Sequence, residues 1–269
     1  LGRLTIETPK TVVNLQLEDN LWRVMEIGNY YAGYRQINNL FNDFADARIY
    51  RRRGPATDAD EKKFGLDDNA FRVITRDAGG RILNTVLIGK AAADNLYHFA
   101  RIEGEKDVFL ITGNFSFPET AVSWLQQPLL SLSPTDIRSL KIGHETAVRP
   151  DIIVPFRIKG KQAVPDISRY LNALGFVAAY DVRRSADFDR LQFSAPKSLT
   201  VTTFDGLVVT IEIYGRTGEE YWASLKFSTT TLPTTAVNDY IKSSAFLYED
   251  WYFRLAPDVG RILFNAFIQ

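Results

Sequence analysis

The chain has 269 residues, 45% of them hydrophobic and 24% charged, which is the balance of a globular protein with one large domain or two smaller ones. Its 32 basic and 32 acidic residues cancel, which argues against a dedicated nucleic-acid-binding protein. The sequence contains no cysteine, so disulfides, thiolate zinc sites and a cysteine nucleophile are excluded.

The N-terminal segment alternates apolar and polar residues at 13–17 and resumes at 21–27, which predicts a β-hairpin. The chain opens at Leu1 rather than at Met, which leaves open whether an N-terminal signal or membrane anchor precedes it. No run of 18 apolar residues occurs, so no membrane span is predicted within this sequence.

The clearest predicted helix covers residues 35–47, because its apolar residues recur at i, i+3, i+4 and i+7. This stripe consists of Ile37, Leu40, Phe41 and Phe44. Residues 48–53 are predicted to form a strand with a basic end, and residues 54–63 a polar loop.

Two hairpins then share one pattern, at 71–89 and 199–215. Each has a strand, a turn containing Asp and Gly, a second strand, and a closing glycine before a basic residue. The second half also predicts a helix at 166–175, with Ile167 and Leu174 in its apolar stripe, and a C-terminal helix at 258–267. Helical turns are predicted between residues 117 and 136, where proline suits a first turn.

The two halves read as an internal repeat. A shift of about 130 residues places Ile37, Asn42 and Tyr50 on Ile167, Asn172 and Tyr180. We therefore predict an α+β fold with two homologous halves of mainly antiparallel sheet, each packed by one long helix. The predicted halves are residues 1–143 and 144–269; chance similarity of two α+β segments is the alternative.

A set of short motifs, in this order and spacing, resembles one family along nearly the whole chain. The motifs are Trp22-Arg23-Val24, Phe64-Gly65-Leu66-Asp67, Ile88-Gly89-Lys90, Tyr97 to Arg101, Val108-Phe109-Leu110, Trp124-Leu125, Asp136-Ile137, Phe204-Asp205-Gly206-Leu207, Tyr221-Trp222 and Trp251-Tyr252-Phe253. The family is domain of unknown function 4340.

The resemblance implies a cellular location but no catalytic activity. Members are bacterial, membrane-anchored and periplasm-facing, and they often accompany ABC-transporter components of gliding-motility type. It therefore implies a location on the periplasmic face of the inner membrane and an accessory role in transport, but no catalytic residue. The chain departs from the family at Ala32-Gly33, where proline is common, and it lacks the usual anchoring helix.

Motifs for catalysis or cofactor binding are missing from the sequence. The two histidines, His98 and His144, have no metal-ligand spacing, and no nucleophile elbow or phosphate-binding glycine loop occurs. Acidic pairs at 58 and 60, 67 and 68, and 219 and 220 lie in predicted turns, where solvated carboxylates are the simple interpretation. No catalytic, metal-binding or cofactor-binding residue is assigned, and no cofactor is expected.

Two groups of residues are candidates for an interaction surface. The aromatic group contains Tyr30, Tyr31 and Tyr34, and the basic group contains Arg51, Arg52 and Arg53. Tyrosines in one loop can form an interface, or they can cover the apolar face of the first helix. Neighbouring arginines can meet an acidic partner or anionic lipid, or form a solvated edge that nearby acids neutralise.

The favoured function is a non-enzymatic, extracytoplasmic module that binds a protein partner in the cell envelope. It predicts an exposed apolar or aromatic patch. A hydrolase of envelope polymers is one alternative, and it predicts a pocket holding acids with a raised pKa. A small-ligand or glycan-binding module is the other, and it predicts a concave site between the halves, lined by tyrosines.

Overall fold

The computed structural model describes residues 1–92, 95–158, 167–216 and 218–265. The chain forms two units, Leu1–Gln126 and Gln127–Gln269, and each unit has its own antiparallel sheet. The predicted α+β fold in two halves is therefore confirmed.

Unit 1 combines a nine-stranded sheet with two helices in its described residues. The strands are β1 Arg3–Glu7, β2 Val12–Glu18, β3 Leu21–Val24, β4 Tyr30–Tyr31, β5 Ile49–Pro55, β6 Phe71–Arg76, β7 Ile82–Ala91, β8 Tyr97–Ile102 and β9 Asp107–Thr112. The helices are α1 Tyr34–Asp46 and α2 Asp58–Phe64. The strand order is β4-β3-β2-β1-β6-β7-β8-β9-β5.

Unit 2 combines an eight-stranded sheet with three helices in its described residues. The strands are β10 Ile137–Ile142, β11 Glu145–Val148, β12 Arg157–Ile158, β13 Ala179–Arg184, β14 Lys197–Thr203, β15 Leu207–Arg216, β16 Glu220–Thr229 and β17 Trp251–Leu255. The helices are α3 Ser168–Leu174, α4 Thr235–Ser244 and α5 Pro257–Phe264. The strand order is β12-β11-β10-β14-β15-β16-β17-β13.

The two sheets have the same connectivity. Without the two-residue strand β4, the order in unit 1 becomes β3-β2-β1-β6-β7-β8-β9-β5, which maps strand for strand onto unit 2. Helices α1 and α3 precede the matching strands β5 and β13. The registers agree as well, since the cross-strand row Ile88, Ala100 and Phe109 in unit 1 is repeated as Ile213, Ala223 and Phe253 in unit 2. This agreement supports a duplicated sheet-plus-helix unit.

The structural division of the chain falls after Gln126 rather than after residue 143. Residues 137–142 form β10, which pairs with β14 and thus belongs to the second sheet. The predicted boundary between 1–143 and 144–269 lies instead in the turn between β10 and β11.

The predicted long helices lie close to the observed ones. The helix predicted at 35–47 is α1, and the helix predicted at 166–175 is α3, although Asp166 lies outside the described residues. The helix predicted at 258–267 is α5, which ends at Phe264; residues 266 and 267 also lie outside the described part of the chain. In α1 the 3.6-residue stripe buries Ile37 and Leu40 against the sheet.

Two local predictions were wrong. Residues 54–63 were predicted to be a loop, but α2 forms there because Thr57 and Asp60 make a reciprocal capping box and Gly65 ends the helix at positive φ. Residues 117–136 form only one 3₁₀ turn, at Ala121–Trp124. The backbone of the following segment bonds to distant residues instead, since the Leu129 amide donates to the Val177 carbonyl at 2.8 Å.

Candidate functional site

An apolar groove runs between α1 and the sheet of unit 1, with a volume of about 380 Å³. Helix α1 contributes Leu40, Phe41 and Phe44 to its lining. The sheet contributes Leu4, Val73, Thr75, Asn84, Val86 and Ile102. We call this site the α1 groove, and its walls are apolar except at Thr75 and Asn84.

Strand register places the sheet residues of the α1 groove on one face. Leu4 lies opposite Thr75, and Thr75 lies opposite Asn84. Val86 has Val73 as its partner on one side and Ile102 on the other. Directly opposed residues of an antiparallel ladder project to the same side, so these six positions form two adjacent rows.

Aromatic contacts hold α1 over this face. The Phe41 ring lies 6.0 Å from the Trp22 ring, and the Phe44 ring lies 5.4 Å from the Phe115 ring. Phe117 stacks on Phe44 at 6.4 Å between centroids and lies 6.3 Å from Phe115. Such pairs contribute about 0.5–1.5 kcal/mol each beyond area burial. The helix wall of the α1 groove is therefore supported independently of any ligand.

Exposure increases towards one end of the α1 groove. Leu4 and Val73 are buried, Val86 and Thr75 are half-buried, and Ile102 is 40% exposed. Phe41 on the helix is 37% exposed. Ile102 is the last residue of β8, and a turn of four residues, 103–106, leads directly to β9. This short connection leaves the end of the α1 groove open to solvent.

The three predicted tyrosines do not form one exposed surface. Tyr30 is 1% exposed in β4, and burial raises the pKa of its hydroxyl far above the ordinary value. Tyr31 is half-buried, and the Arg23 guanidinium lies 4.5 Å from its ring centroid. Tyr34, the first residue of α1, is 76% exposed. Tyr30 is therefore a core residue, and only Tyr34 is largely exposed.

The three predicted arginines lie side by side on the edge strand β5 and are exposed. Arg52 Nε donates to Asp107 Oδ2 at 2.7 Å, and the Arg51 guanidinium lies 5.6 Å from the Tyr50 ring. Charged residues on an edge strand also discourage pairing with another sheet. The arrangement accounts for the arginines as a solvated, partly neutralised edge.

The acidic pairs serve local structure. Hydrogen bonds from Thr57 lower the pKa of Asp60, and hydrogen bonds from Asn69 lower the pKa of Asp67. Burial acts to raise the pKa of Glu220, but bonds from Trp222 and Arg216 outweigh it and leave that pKa below its ordinary value. A general acid needs a raised pKa, so none of these three carboxylates is suited to that role.

His98 packs edge-on against Phe115, with 5.7 Å between ring centroids. Its Nδ1 atom lies 3.3 Å from the Gly89 carbonyl oxygen. Among the residues whose positions are described, no group of three or more His, Asp or Glu side chains could hold a metal ion. The described helices also include none that is long and apolar enough to cross a membrane.

Comparison with known proteins places the chain in one family. The profile of a domain of unknown function, DUF4340, matches residues 22–164, which is just over half of the chain. The chain belongs to the DUF4340 family. No curated protein and no solved structure matches it. The DUF4340 match starts in β3 and includes α1, β6, β7 and β8, so it covers every α1 groove residue except Leu4.

Sequence reasoning assigned Leu40, Phe41 and Phe44 to the packing stripe of a helix and did not identify a groove. The signal that could have revealed it lies in the repeat. The face of β6 and β7 that α1 packs on carries Thr75 and Asn84, whereas the matching strands β14 and β15 carry valine at both positions. A polar pair on an otherwise apolar face indicates that this part of the face is not fully buried.

Proposed function

We propose that this DUF4340 protein is a non-enzymatic interaction module of the bacterial cell envelope, and that it binds a protein partner through the α1 groove. The observation that carries the proposal is the open apolar lining of the groove, with Phe41 and Ile102 both more than one-third exposed. The periplasmic location, the membrane anchor and the role as accessory of an ABC-type transport system rest on the family resemblance.

An exposed apolar groove is a natural docking surface. Fully burying an exposed aliphatic or aromatic side chain contributes about 1.5–3 kcal/mol, so covering Ile102 and Phe41, which are 40% and 37% exposed, contributes about 1 kcal/mol each. The fixed orientation of α1 also lowers the entropic cost of binding, because the aromatic contacts of Phe41 and Phe44 already hold the wall in place.

Site-specific photocrosslinking tests the proposal. A benzophenone amino acid replaces Ile102 in the full-length protein in bacterial cells, and a matched variant carries it at Leu191, which is 96% exposed in unit 2. We expect one discrete adduct from position 102, identified by mass spectrometry as a component of an envelope transport complex. Identical adducts from positions 102 and 191, or none from position 102, would contradict docking at the α1 groove.

A further inference from the structure

We infer that the α1 groove accepts an amphipathic helix of the partner, in the place that α4 and the turn after it occupy in unit 2. This inference deepens the proposed function and rests on it. Unit 2 has the same sheet face at equivalent positions, and there the face is covered by the chain itself.

Strand register defines the equivalent positions. In unit 1 the row of Val73, Val86 and Ile102 lies next to the matched row of Ile88 and Ala100. In unit 2 the corresponding row is Leu199, Ile211 and Leu225. The next row, Leu4, Thr75 and Asn84, corresponds to Leu140, Val201 and Val209.

Burial differs at these equivalent positions. All six residues in unit 2 are at most 4% exposed. In unit 1, Ile102 is 40% exposed where unit 2 has Leu225 at 4%, and Asn84 is exposed where Val209 is fully buried. The difference is greatest at the end of the sheet near the β8–β9 turn.

One covering segment of unit 2, at the end of the sheet near Phe227, lies in the matching connection. Residues 230–250 join β16 to β17 and contain α4, whereas residues 103–106 join β8 to β9. Phe227 lies opposite Val209 and therefore on this face. Its ring lies 5.9 Å from Tyr240 of α4 and 4.4 Å from Tyr248, which is buried and donates to the Leu129 carbonyl at 2.8 Å.

The chemistry of the occupant follows from α4. Its apolar residues Val237, Tyr240 and Ile241 stand at i, i+3 and i+4, and Val237 is 4% exposed. A helix that presents an aliphatic and an aromatic residue at this spacing matches a groove walled by Ile102, Val86 and Phe41. Asn84 and Thr75 replace two valines, so a polar side chain at the centre of the partner's apolar stripe would be tolerated there.

A peptide of residues 233–250, called the α4 peptide, tests the inference with the intact chain. Short peptides are weakly helical in water, so a second version carries Ser243→Lys with a lactam bridge to Asp239; both positions are exposed in α4. A control peptide carries Val237→Asn and Tyr240→Asn. Fluorescence anisotropy measures binding to the intact chain and to its Ile102→Gln and Leu191→Gln variants.

We expect the bridged α4 peptide to bind the unchanged chain and Leu191→Gln equally, and to bind Ile102→Gln about tenfold more weakly. The control peptide should also bind at least about tenfold more weakly. Absence of binding by the bridged peptide, or equal binding to Ile102→Gln, would overturn the helix assignment. If crosslinks from position 102 still captured a transport component in that case, the docking function would stand with a different occupant; failure of both would remove both proposals.

Discussion

The two units share one strand order but differ in how one face of the sheet is covered. Unit 2 covers the face around Leu225 with its own chain, whereas unit 1 leaves the equivalent Ile102 40% exposed. The strands themselves match row for row, but the connection between β16 and β17 contains α4, whereas the matching connection between β8 and β9 is a short turn. A duplicated framework has thus kept its sheet and changed a loop, which is where binding functions generally reside.

The opposite face of each sheet is covered in part in both units, by different means. In unit 1, α2 brings Phe64 into a cluster with Leu87 and Val108. In unit 2 an aromatic cluster of Phe188, Tyr214, Trp222 and Tyr252 performs the same task. Both units therefore bury part of this second face, and the α1 groove lies on the other face of unit 1.

The largest expected effect is a difference in the free energy of unfolding between alanine variants of the equivalent residues Leu225 and Ile102. Leu225→Ala removes a 4%-exposed side chain and should lower the free energy of unfolding by about 2–5 kcal/mol. Ile102→Ala should cost about 1 kcal/mol or less, because its side chain is already partly solvated. Urea unfolding of both variants measures the difference. Equal losses would show that the position of Ile102 is as tightly covered as that of Leu225.

A second change should make unit 2 resemble unit 1. Phe227→Ala removes the ring on which Tyr240 and Tyr248 pack, so α4 should detach from the sheet more often. We expect a loss of about 2 kcal/mol, below that of a fully buried phenylalanine because Phe227 is half-buried. Hydrogen exchange should rise about tenfold or more in residues 235–248, with unit 1 unchanged. Unchanged exchange in α4 would mean that other contacts hold this cover in place.

The smallest expected effect concerns α2, which has no α-helical counterpart in the described connection between β13 and β14. Bonds from Thr57 lower the pKa of Asp60 in the folded chain, so the cap is fully formed above the ordinary pKa of 3.8 and is lost as pH falls through the lowered value. The protection of residues 58–64, measured as their exchange rates relative to those of an unstructured chain at the same pH, should therefore fall in acid, and Thr57→Val should remove this dependence. A Thr57→Val chain with the same acid response would assign the response to another group.

Sequence reasoning succeeded where structure is local. The 3.6-residue stripe of α1 is contained within 13 residues, and the predicted bounds differ by one residue at each end. Predictions failed where distant partners decide, as for residues 117–136, whose amides bond to Leu174 and Val177 far along the chain. The short helix α2 was missed because a cap and a buried Phe64, rather than apolar periodicity, specify it.

The α1 groove could not be predicted from its own residues. Val86 and Ile102 have the composition of any apolar strand face, and segments distant in sequence determine whether that face is covered. The comparison of matched rows in the two units supplies this information, but it requires the register of eight strands. Sequence periodicity gives the facing direction of a residue and not the presence of a neighbour above it.

The most direct test of this account is to map where the bridged α4 peptide binds. A photoreactive group at the position of Tyr240 in the peptide is irradiated in complex with the intact chain, and the adducts are located by mass spectrometry. The account predicts adducts on Phe41 and Ile102, the exposed residues of the α1 groove. Adducts confined to Phe227 and its neighbours in unit 2, or scattered over both units, would contradict it.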